Sequence, residues 1–149
     1  MKKKKKLRNA LITILILAAL FGAYWLAFKR AEPLSQYMHS SQAITGGEIV
    51  CHPYEGETQT AELTAQANGP ELNAVHEAIQ TAEIRFNHGD TMPVAPVDGA
   101  YYEVFLDTAE QEDAYVFGCN SDGQIILGGS AYDLLDENAL PEKLAAVFP

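Results

Sequence analysis

Hydrophobic and polar positions divide the chain into three stretches of different character. Ala10 to Phe28 form an unbroken run of uncharged, mostly apolar residues. A helix of that length rises about 28 Å, close to the hydrocarbon thickness of a bilayer. It closes its backbone polar groups on itself, so such a run can cross lipid. The next stretch, residues 31–47 (AEPLSQYMHSSQAITGG), sustains neither a period of 2 nor one of 3.6. Pro33, the Ser40–Ser41 pair and the Gly46–Gly47 step punctuate it as a linker, expected over 29–47. From residue 48 to 149 the signals become those of a folded domain of about 100 residues, enough for a single core.

Within that domain, EIVCHPY (Glu48–Tyr54) and TQTAEL (Thr58–Leu63) flank a short loop centred on Gly56 and predict a hairpin. GPELNAVHEAIQTAEIRF predicts a helix. Pro70 suits its first turn, and Leu72, Val75, Ile79, Ala82 and Phe86 recur at helical spacing. NHGDTMPVAPVDG holds two prolines and two glycines and reads as a long loop. AYYEVFLD, AYVFGCN and QIILGG then predict three strands of an antiparallel meander, with SDG as the tight turn between the last two. SAYDLLDENAL is ambiguous, and PEKLAAVF begins a short terminal helix with Pro141 at its start. The order ββαβββα gives an α+β domain with helices packed on an antiparallel sheet.

Charge sharpens the organisation. Six cations, Lys2 to Lys6 and Arg8, precede the apolar run, and two, Lys29 and Arg30, follow it. That asymmetry predicts a cytoplasmic tail at 1–9, a membrane anchor at 10–28 and export of everything after it across the cell membrane. A cleaved signal peptide is the alternative, but Trp25 before Ala27 and Lys29 before Ala31 make poor small-x-small sites. Beyond residue 30, two cations against 20 acids leave a formal charge of −18. This excludes nucleic acid as a partner, because its phosphates are neutralised by Lys and Arg. Anionic headgroups and polymers are repelled as well. The expected partner is another envelope or membrane protein, with the membrane itself held through residues 10–28. A well-solvated acidic surface explains the same charge without any partner.

The order of elements, with "YYEVFL", "AYVFGCNSDGQIILGG", "YDLL" and the terminal helix, resembles small membrane-anchored exported domains of unknown function from Gram-positive bacteria. A second likeness is to the helix-plus-hairpin layout of PepSY-type domains. Neither resemblance supplies a catalytic residue to carry over.

Candidate chemistry is sparse. HEAIQ (His76–Gln80) starts like a zinc-protease helix, but Gln80 stands where the second histidine is needed. NSDGQI (Asn120–Ile125) matches part of a calcium loop, yet Gly118 and Gly129 occupy places that need carboxylates, and Asp-Gly between apolar strands is a hairpin turn. The clusters Asp107/Glu110/Glu112/Asp113 and Asp133/Asp136/Glu137 read as solvated loops, with weak cation binding as the alternative. His88 and Asp90 would serve a small hydrolase as base and orienting acid, but no nucleophile accompanies them in sequence. No catalytic, cofactor-binding or metal-ligating set emerges, and no cofactor is expected.

Two cysteines remain. In a strand, Cys51 and His52 point to opposite faces and cannot share one ion. An exported domain with one cysteine in each of two strands reads as holding a Cys51–Cys119 disulfide, which would close a loop of roughly 70 residues for about 4 kcal/mol. Free buried thiols and a metal site are the alternatives.

Overall fold

The computed structural model describes residues 2–87, 94–135 and 137–149. They form two compact units, residues 1–30 and 31–149. The first is a single helix, α1 (Lys2–Phe28). Its segment Lys6–Ala27, whose most apolar 18-residue window has a mean hydropathy of 2.3, is long and apolar enough to cross a membrane.

The second unit is α+β, as expected, but its sheet has eight strands where five were predicted. The strands are β1 (Ala31–Pro33), β2 (Ile44–Pro53), β3 (Gln59–Thr64), β4 (Glu83–Phe86), β5 (Ala100–Thr108), β6 (Tyr115–Asn120), β7 (Gln124–Leu127) and β8 (Ser130–Leu134). Two helices, α2 (Ala65–Thr81) and α3 (Leu140–Ala145), complete it. All pairings are antiparallel, in the order β1-β4-β8-β7-β6-β5-β2-β3. The expected hairpin is β2–β3 and the expected meander is β5–β6–β7, which β8 extends.

The three unexpected strands have identifiable causes. Ala82 and Phe86 fit a helical period, but Ala82, Ile84 and Phe86 also alternate with exposed Glu83 and Arg85. The period of 2 prevails: the helix ends at Thr81, Ala82 turns to extended backbone (φ −69°, ψ 132°), and β4 begins. β1 lies in the stretch read as linker. It pairs with β4, and the Leu34 N–H that follows it donates to Ala82 O at 2.9 Å. Leu34 is fully buried, Ile44 nearly so, and β2 starts at Ile44, so residues 31–47 belong to the folded unit. The ambiguous SAYDL becomes β8 by pairing with both β7 and β4.

Helix α2 starts on a Thr64 cap, whose side chain accepts from Ala67 N at 3.3 Å. It breaks at Asn68 (φ −126°, ψ 25°) and resumes around Pro70, a residue suited to the first turn of a helix. Its stripe Leu72, Val75, Ala78 and Ile79 is buried, as are Leu140 and Leu144 of α3. Both stripes pack on Ile49, Cys51, Leu63, Tyr102, Val104, Leu106, Phe117, Cys119 and Ile125 in one core. These strand residues share one face of the sheet. The helices therefore cover that face.

Candidate functional site

The opposite face is set by the same alternation. Glu48, Val50 and His52 of β2 lie across from Phe105, Glu103 and Tyr101 of β5, and Glu48 and Val50 also oppose Glu62 and Thr60 of β3. Phe105 in turn opposes Val116 of β6, which is 40% exposed. The result is a half-apolar strip of Val50, Phe105 and Val116 bordered by carboxylates. β2, β3, β5 and β6 contain no lysine or arginine.

An open groove of about 580 Å³ runs along this face, lined among others by Glu48, Glu62, Thr64, Phe105, Asp107 and Asp113. Its floor depends on Gly47, whose φ of +133° suits glycine, and whose missing Cβ would meet Phe105 O at 2.3 Å. The loop after β5 is held at the groove's end by the Asp113 N–H, which donates to Asp107 Oδ1 at 2.7 Å.

At the other end of the strip, His52 and Tyr101 stack with ring centroids 6.1 Å apart. His52 Nδ1 is 3.2 Å from Thr58 Oγ1. Its Nε2 lies 3.6 Å from Glu103 Oε1, an ion-pair separation once the ring is protonated and too long for a hydrogen bond. The Tyr101 ring lies over Gly118, where any Cβ would fall 2.0 Å from the phenol oxygen. Burial, then the nearby Glu103 carboxylate, pushes the Tyr101 hydroxyl up to about 12.

The residues singled out from the sequence are dispersed. Cys51 and Cys119 are free thiols and not a disulfide. Their strands are not neighbours: Cys51 opposes Tyr102 and Tyr102 opposes Cys119, so β5 stands between them. Two strand spacings amount to about 9–10 Å, beyond the roughly 7 Å Cα limit for a disulfide. Both thiols face the helices. Burial raises Cys51, while burial and then Glu142 push Cys119 up to about 12. His52 points the other way, as strand geometry requires.

His88, Asp90 and Asp136 lie outside the described residues. His76 is on α2, edge-to-face with Tyr115 at 5.9 Å, and its Nε2 is buried without a hydrogen-bond partner, as is Gln80 Nε2. Asn120 and Gly123 build the turn: Asn120 O accepts from Gly123 N at 3.0 Å, and Asn120 Oδ1 accepts from Gln124 N at 2.8 Å. Glu110 and Glu112 sit exposed in the loop that Asp107 and Asp113 pin, and Asp133 Oδ1 accepts from Asn87 Nδ2 at 2.8 Å. Glu137 lines a separate depression of about 380 Å³ beside Asp122 and Glu142. Among the described residues, no three His, Cys, Asp or Glu side chains converge as a metal would require.

The acidic strip was not anticipated as a site. Its signal is in the sequence: Glu48 and His52 alternate with buried Ile49 and Cys51. Their neighbours Glu62, Glu103 and Phe105 are set only by strand register. Comparison with family models, with curated proteins and with solved structures finds no match.

Proposed function

We propose that the chain is a single-pass membrane protein with a cytoplasmic N-terminus, and that residues 31–149 form a non-catalytic interaction domain displayed outside the cytoplasm. Its helix-free sheet face docks a lysine- or arginine-rich segment of another envelope or membrane protein. The cation asymmetry around α1 supports the orientation. One observation carries the binding reading: Glu48 and Glu62 are directly opposed across strands, on a face whose strands hold no lysine or arginine. Like charges so placed destabilise a sheet, and a cationic partner relieves them. Phe105 and Val116 beside them add apolar contact area of the kind found at interface centres.

The test is amide chemical-shift mapping of the full chain in detergent micelles during titration with an oligolysine peptide. Shifts concentrated at 48–52, 60–62 and 103–105, and weakening with salt, are expected. Shifts spread evenly over α2, α3 and the sheet would reduce the acidity to a general solubility device.

A further inference from the structure

The edge of the sheet carries the reading further. On β2, the Tyr54 N–H that continues the strand donates to Gly99 O at 2.9 Å, on the β5 side. Antiparallel strands turn the peptide groups of successive residues to alternate sides. His52, Val50 and Glu48 therefore bond toward β5, and Cys51, Ile49 and Gly47 toward β3. Their partners are Gln59, Ala61 and Leu63. The intervening residues Thr60 and Glu62 turn both their N–H and C=O groups away from the sheet, and both residues are exposed. The Thr64 N–H, next in that series, is taken by Asn68 Oδ1 at 3.3 Å.

The two edges of the sheet differ. β1 is three residues long and ends in Pro33, a residue that blunts an edge. β3 has six residues with no proline, no lysine and no register shift in its pairing. Its side chains on the helix-free face are Thr60, Glu62 and Thr64, and Glu55 and Glu57 stand in the loop before it. A second copy of this chain would bring Glu62 and its neighbours against like charges. A strand with cationic side chains would meet opposite ones.

We infer that β3 is a strand-accepting edge, and that the partner adds to it as a ninth, extended strand whose lysine or arginine side chains at alternate positions lie beside Glu62 and Glu48. This rests on the proposed docking of a basic segment and specifies how that segment binds. The backbone groups of Thr60 and Glu62 supply the hydrogen bonds, and the carboxylates select the sequence.

The experiment uses the full chain in micelles and a short peptide alternating lysine and threonine, alongside the same peptide N-methylated along one hydrogen-bonding edge. Hydrogen exchange at Thr60 and Glu62 should slow on binding the unmodified peptide. N-methylation of the peptide, or Thr60→Pro in the protein, should weaken binding about tenfold, the effect of losing one or two hydrogen bonds. Glu62→Gln should weaken it separately and reduce its salt dependence. If Thr60→Pro and the N-methylated peptide bind as well as the originals while Glu62→Gln still weakens binding, the edge is not used and only the acidic face stands. If none of the three changes binding, both readings fall. A salt-resistant dimer formed through β3 would also overturn the inference, because the edge would already be occupied.

Discussion

Glu48 of β2 and Glu62 of β3 stand directly across from each other on the helix-free face of the sheet. Because the Glu48 backbone bonds toward β5, they form a non-hydrogen-bonded pair, the closer of the two antiparallel types, with Cα atoms about 4.5 Å apart. Neither β2 nor β3 has a lysine or arginine to neutralise them.

Removing one of these charges should therefore stabilise the protein. Glu62→Gln is expected to gain a few tenths of a kcal/mol at low ionic strength. The gain should shrink as salt screens the pair. Thermal unfolding of the full chain in micelles at low and high salt checks both points. A loss of stability at low salt would mean that Glu62 has a structural partner.

The thiols should be inert in the folded state. Cys51 and Cys119 are buried, and burial holds both in the protonated form that does not attack alkylating reagents. Neither should label under native conditions, and both should label on unfolding without any reductant. A requirement for reductant would restore the disulfide expected from the sequence.

The same burial predicts an alkaline limit to stability. The Cys119 thiol rises from 9.0 to about 12 on folding, and the Tyr101 hydroxyl from 10.0 to about 12. Each group gives up its proton more readily in the unfolded chain. The contribution of these two groups to stability is thus fully present below pH 9 and is lost as pH climbs through the range from 9 to 12. Denaturant midpoints measured across that range should fall. Midpoints that stay level up to pH 12 would contradict the burial of these groups.

Leu34 tests whether the segment after α1 belongs to the fold. It is fully buried, and its N–H closes on Ala82 O. Leu34→Ala should cost about 2–5 kcal/mol, the usual range for a buried leucine. A change of under about 0.5 kcal/mol, typical of a surface site, would return residues 31–47 to the status of linker.

The elements legible in the sequence are those with enough length to show a period. The β2–β3 hairpin, the β5–β6–β7 meander and the Leu72–Ile79 stripe are visible because each repeats its pattern over several residues. β1 is too short to show a period, and Ala82–Phe86 satisfies two periods at once. The disulfide failed for a different reason. Both cysteines were correctly placed in strands, but which strands adjoin is set by the order of the sheet, and β5 inserts between β2 and β6. The acidic strip follows the same logic. Its residues come from strands whose pairing only the folded sheet defines.

Orientation can be read with the native thiols silent. Val97 is 71% exposed in the folded unit, and Asn9 precedes the apolar run of α1. In intact cells, a membrane-impermeant maleimide should label Val97→Cys and leave Asn9→Cys untouched. The reverse pattern would invert the topology.

In the proposed binding, one face of the domain, and not its overall charge, holds the basic partner. The most direct measurement compares oligolysine affinity for two variants of equal net charge. One carries Glu48→Gln, Glu62→Gln and Glu103→Gln on the helix-free face, and the other carries Glu71→Gln, Glu77→Gln and Glu142→Gln on the helices. Affinity should fall about tenfold or more in the first, at roughly 0.5 kcal/mol per exposed charge, and stay near the original in the second. Equal losses in the two variants would contradict the claim and leave the acidity as a diffuse property of the whole surface.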